Sequence, residues 1–99
     1  MSMNGNCRIG HDDMNITISV LPNEDGYAAI KSELVLGSRG SIETLGYKVV
    51  PASKVQGALE TFIGRAWNWF EVTGIKLSDD VILRSTESVV GILKKIRPS

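Results

Sequence analysis

The sequence predicts an α+β fold: a three-stranded antiparallel β-meander packed against one long aromatic-rich helix, with a further helix at the C-terminus. Three observations carry this. A stretch near the N-terminus alternates apolar and polar residues with a period of two. Two clusters of turn formers then divide the following apolar segments. Finally, "ALETFIGRAWNWFEVTG" (Ala58 to Gly74) sets both tryptophans and both phenylalanines of the chain on a helical repeat.

The first ten residues are rich in Asn, Gly and Ser and predict a flexible lead (1–10) ahead of a single domain over 11–99. In "MNITISVL" Met14, Ile16, Ile18 and Val20 point one way and Asn15, Thr17 and Ser19 the other, which is the pattern of a half-buried strand. "PNEDG" is a turn, and "YAAIKSELVL" follows as a second strand with Ala28, Ile30, Leu34 and Leu36 inward and Tyr27, Lys31 and Glu33 outward. "GSRGS" is the next turn. The third strand, "IETLGYKVV", is out of phase with itself, since Ile42 and Leu45 fall on opposite faces; a bulge at Gly46 would restore the phase.

Ser53 and Gln56 have the spacing of a capping box, so the long helix is expected to begin there. At about 100° per residue Val55, Leu59, Phe62, Ala66, Phe70 and Thr73 form one stripe, flanked by Ile63 and Trp69, and Gly74 ends the helix. Trp67 falls at the edge of the stripe. The next segment has two readings: a hairpin around Ser78-Asp79-Asp80, or a long helix capped by Ser78. Val81-Ile82-Leu83 favours the strand, which leaves a terminal helix from about Thr86 to Ile96.

With 99 residues the chain can build one core. Eleven basic and eleven acidic residues give no net charge, which argues against a protein that coats nucleic acid. The single cysteine, Cys7, points to a reducing compartment and a cytoplasmic location. No apolar run approaches the roughly 18 residues of a membrane span.

Motifs for chemistry are weak. "GHDD" puts His11 beside Asp12 and Asp13, but neighbours in an extended segment diverge, and a metal needs about three converging ligands. Cys7 with His11 has the residue types of a nucleophile and base without a third group to orient them. "GSRG" reads as a hairpin turn, because it lacks the helix and lysine of a phosphate loop. No catalytic residue, metal or cofactor is therefore expected, and no small-molecule substrate is evident. The helix surface says more. Gly57 and Gly64 lie two turns apart, opposite the apolar stripe, at a cost of about 1 kcal/mol each relative to alanine. With Trp67 and Asn68 alongside, they are the expected partner-binding face. Lys94, Lys95 and Arg97, with Tyr27, Tyr47 or Trp67 for stacking, form the alternative, a nucleic-acid contact.

From Ile16 to Val72 the order of features resembles the N-terminal domain of HicB-type antitoxins: a strand, an acidic turn with a following aromatic ("NEDGYAAI"), two more strands, and a helix like "SKVQGALETF" with "WNWFE". "LGSRGS" replaces the Pro-Gly turn usual in that family. The resemblance covers about half of the chain and implies a meander-plus-helix fold and inhibition by binding; it assigns no functional residue. The expected function is a small non-enzymatic regulator or inhibitor, antitoxin-like or phage-inhibitor-like, that docks onto another protein or onto a second copy of itself.

Overall fold

The alternating segment that begins at Met14 is the second strand of the sheet, not the first. The computed structural model describes residues 4–96 and contains four strands and two α-helices. These are β1 (Gly5–His11), β2 (Met14–Pro22), β3 (Tyr27–Leu36), β4 (Ser41–Pro51), α1 (Val55–Thr73) and α2 (Asp79–Lys95). The strands pair antiparallel in chain order. The predicted three-stranded meander is thus β2–β3–β4, and β1 is added on its far side. From Gly5 onward the expected flexible lead is strand; Met1 to Met3 lie outside the described residues. Cys7 and Ile9 hold β1 in place: both are buried, opposite Ile18 and Ile16.

Register divides the sheet into a helix face and an open face. Ile9, Ile16 and Leu34 lie abreast on the helix face, as do Cys7, Ile18 and Ser32 one step along. All six are buried. On the open face Leu21, Ala29 and Val49 form a row, with Lys31 and Tyr47 in the next.

Between β3 and β4 the register shifts: Ser32 faces Gly46 and Glu33 faces Thr44, so Leu45 is the extra residue of a bulge. The broken phase of "IETLGYKVV" predicts a bulge at Gly46; the extra residue is its neighbour Leu45, and Gly46 itself stays paired with Ser32. Gly46 also packs closely, because a Cβ there would lie 3.3 Å from the Phe62 ring, which would have to shift by a few tenths of an ångström.

Helix α1 buries Val55, Leu59, Phe62, Ile63, Ala66 and Phe70 against the sheet. Thr73, expected on this stripe, is exposed, and its hydroxyl donates to the Trp69 carbonyl at 2.8 Å. The Ser53–Gln56 capping box does not form. Ala52–Lys54 make a 3₁₀ turn, Lys54 occupies the capping position, and no side chain caps the helix. A capping side chain needs extended backbone, and Ser53 already lies inside the turn. At the other end Gly74 takes φ 75°; its N–H reaches the Glu71 carbonyl and that of Ile75 reaches Phe70, a Schellman closure.

The last quarter is one helix, which corrects both the favoured hairpin and the later start at Thr86. Ser78 accepts a hydrogen bond from Val81 N–H, with Asp79 and Asp80 in the first turn and Lys94 and Lys95 in the last, each suited to the helix dipole. Val81, Ser85, Val89 and Ile92 are buried along α2, and Ile96 just beyond it. The helix packs on β1.

Candidate docking surfaces

The two edges of the sheet are treated differently. Across β1 the outward N–H of Gly10 donates to the Ser85 hydroxyl at 3.1 Å, and that of Arg8 to the Ser88 hydroxyl at 2.9 Å. Helix α2 therefore covers this edge with its hydroxyls as well as with apolar packing. Strand β4 has no such cover. Among the described residues it is the longest strand, at 11 residues, and its only strand partner is β3. Because Ala52 N–H donates to the carbonyl of Gly26, the residue just before β3, the backbone groups of Val50, Lys48 and Gly46, in phase with Ala52, point at β3. Those of Val49 and Tyr47, and beyond the bulge Thr44 and Ile42, point outward. Among the described residues none bonds to these outward groups.

The same strand exposes large apolar side chains. Ile42 is 64% exposed and Tyr47 62%. Val49, Tyr27 and Leu21 are also exposed, and register places Leu21 and Val49 in one row of the open face with Tyr27 and Tyr47 in the rows beside it. Lys31 and Glu33 pair with each other there at 3.6 Å. Tyr27, Lys31 and Glu33 point outward as the alternation predicts. Ile42, Tyr47 and Val49 lie outside the partner-binding face expected from the sequence, although the apolar residues on both sides of Lys48 are a signal for them.

On α1, Gly57, Gly64 and Asn68 share one outward direction and are exposed. A Cβ at either glycine would meet nothing within 4 Å. Trp67 is set apart from them, about 80° around the helix. It is half-buried and packs against the core on the flank of Gln56, which faces Val90 and Leu93 of α2. Of the basic group, Lys94 and Lys95 are exposed in the last turn of α2, and Arg97 lies outside the described residues. These lysines are in the helix layer, on the other side of the sheet from Tyr27 and Tyr47.

The reactive residue types are not brought together. Cys7 and His11 are four residues apart along β1, a span of roughly 13 Å. Burial pushes the Cys7 thiol up to about 11, which keeps it protonated. Asp12 turns to Arg8, whose Nη2 lies 2.9 Å from its Oδ1. No group of three His, Cys, Asp or Glu able to hold a metal occurs among the described residues. A cleft of about 240 Å³ opens between α1 and the β4 bulge, lined by Leu45, Phe62, Ala66 and Trp69, with Arg65 as its only charged residue among the described residues. No acid–base pair converges on it.

The fold and surfaces define an α+β domain: a four-stranded antiparallel meander, two helices on one face, the other face and one edge open. No helix among the described residues is long and apolar enough to cross a membrane. No protein-family model matches the chain, and no curated protein or solved structure matches it.

Proposed function

We propose that this protein is a small non-enzymatic regulator or inhibitor that works in the cytoplasm by docking onto another protein through the open face of its sheet. The supporting observation is the contiguous apolar patch of Leu21, Tyr27, Tyr47 and Val49 on a face that neither helix covers. Such patches on monomeric domains mark interaction sites, and aromatic residues at their centre are the usual anchors. The one ion pair beside them, Lys31–Glu33, is internally neutralised, so the surface suits an apolar protein patch better than a phosphate backbone. The separation of Lys94 and Lys95 from both tyrosines weighs in the same direction. The resemblance to HicB-type antitoxins contributes only the idea of inhibition by binding.

The outward side of α1, with Gly57, Gly64 and Asn68, and Trp67 on its flank, is the second candidate face of the same function. Two variants separate the faces once a partner has been cross-linked in the native cell and purified. Leu21→Glu places a charge on the sheet patch; Gly64→Arg places one on the helix pole, where space is open. Loss of binding in Leu21→Glu with retention in Gly64→Arg supports the sheet face. The reverse pattern moves the site to α1. Binding unaffected by either, with both variants folded, refutes docking through these surfaces.

A further inference from the structure

The geometry of β4 points to a specific occupant of its bare edge: we propose that two copies of the chain join by antiparallel pairing of β4 with β4, about a twofold axis passing between Leu45 and Gly46. This dimer stands on the edge alone and does not require the docking reading above.

An uncovered edge strand is a template for pairing, and proteins blunt such edges with bulges, prolines and charges turned toward the buried face. Strand β4 carries all three. Leu45 is a bulge, Pro51 ends the strand, and Lys48 lies on the helix face opposite Ile30. Each restricts which partner strand fits, and a second β4 satisfies them in one register.

In that register Glu43 faces Lys48 of the second copy, and Lys48 faces its Glu43. Both residues lie on the helix face, since Glu43 is opposite Leu34 and Lys48 opposite Ile30. Neither makes an ion pair within its own chain among the described residues. On the open face Ile42 meets Val49 of the other copy and Thr44 meets Tyr47. The two bulges meet at the axis, where Leu45 and Gly46 both turn to the helix side against Phe62. Every residue from Ser41 to Val50 is then opposite one from its own face.

Hydrogen bonding selects the same register. Ile42, Thr44, Tyr47 and Val49 are the residues whose backbone groups point outward, and they pair only with one another. An antiparallel ladder built on them exchanges about eight hydrogen bonds across the axis. Glu43 and Lys48 fall at the intervening positions, where opposed side chains approach most closely. A slip of two residues sets Tyr47 against Gly46, or Thr44 against Leu45, which belong to opposite faces, and it separates both ion pairs. The product is a continuous sheet of twice the width, closed at both ends by an α2 helix, with the two apolar patches side by side on one face.

The test is the mass in solution, by sedimentation equilibrium at low salt, of the parent and four variants. The parent is expected at the mass of two chains. Glu43→Lys and Lys48→Glu each turn both attractive pairs into repulsive ones and should weaken the dimer by about tenfold or more. An equimolar mixture of these two variants, and the double variant Glu43→Lys/Lys48→Glu, should both regain it, because each again places opposite charges across the axis. Tyr47→Pro removes an outward N–H that β3 does not use, and should leave a folded monomer. A parent that remains one chain up to hundreds of micromolar would overturn the proposal. So would a dimer indifferent to all the variants, or single variants whose mixture stays dissociated. If Tyr47→Pro fails to fold, the charge exchange decides the matter alone.

Discussion

Replacing Ser85 by alanine should destabilise the protein although it removes a single oxygen. Ser85 is 2% exposed on the buried stripe of α2, and its hydroxyl accepts the Gly10 N–H of β1 at 3.1 Å. Alanine has nearly the same volume, so no cavity forms and the change isolates the hydrogen bond. Leaving a buried N–H without a partner costs about 1–3 kcal/mol. Gly10 is only half-buried, which places the expectation at about 1–2 kcal/mol. With a urea slope of about 1–1.5 kcal/mol per molar, the midpoint should fall by about 1 M. Ser88→Ala is the internal control: its bond to Arg8 N–H is exposed, water replaces it, and the loss should stay below about 0.5 kcal/mol. Equilibrium urea unfolding followed by tryptophan fluorescence measures both. If Ser85→Ala unfolds with the parent, or Ser88→Ala costs as much, then α2 does not seal the β1 edge through Ser85.

Three further outcomes are expected. Phe62→Ala should cost about 3–5 kcal/mol in the same assay, because the ring is buried between α1 and Gly46; a loss below about 1 kcal/mol would contradict the packing. Gly10→Ala should cost more than about 2 kcal/mol, since Gly10 sits at φ 120° and its Cβ would fall 2.8 Å from both the Phe70 ring and the Met14 carbonyl; wild-type stability would rule that geometry out. Burial raises the Cys7 thiol from its ordinary 9.0 to about 11, so the unfolded chain loses this proton first. The stabilisation is therefore complete below pH 9 and is lost between pH 9 and 11, at most about 1.4 kcal/mol per pH unit. The stability gap between the parent and Cys7→Ala should narrow over that interval, and a constant gap would show that the thiol is not shielded.

The meander from β2 to β4, the bulge and the apolar stripe of α1 were legible because each rests on local periodicity. Strand β1 was not. It offers only Cys7 and Ile9 as inward apolar residues, among Asn and Gly, and α2, some 80 positions away, supplies the rest of its environment. Helix α2 was obscured by the other half of the same contact. Its buried stripe runs Val81, Ser85, Val89, Ile92, and the serine in the middle breaks the apolar repeat while Val81-Ile82-Leu83 imitates a strand. Ser85 is polar because it serves a strand edge, so the residue that hides the helix in the sequence is the one that covers the sheet in the structure. The candidate surfaces divide likewise. The exposure of Gly57 and Gly64 follows from helix phase, whereas the bareness of β4 depends on which strand neighbours it.

Helix α2 seals one sheet edge, and the other is left open for a second β4. Amide hydrogen exchange of the intact protein, resolved by residue and repeated over a range of concentrations, separates the two edges. Arg8 and Gly10 amides should exchange slowly at every concentration, as should those of Lys48 and Val50, which point at β3. The outward amides of Ile42, Thr44, Tyr47 and Val49 should exchange fast in dilute solution and become protected as the concentration rises. Outward amides that stay protected at dilutions where sedimentation finds a single chain would mean that the chain itself covers β4. Outward amides that exchange fast at every concentration would mean that no second strand docks there.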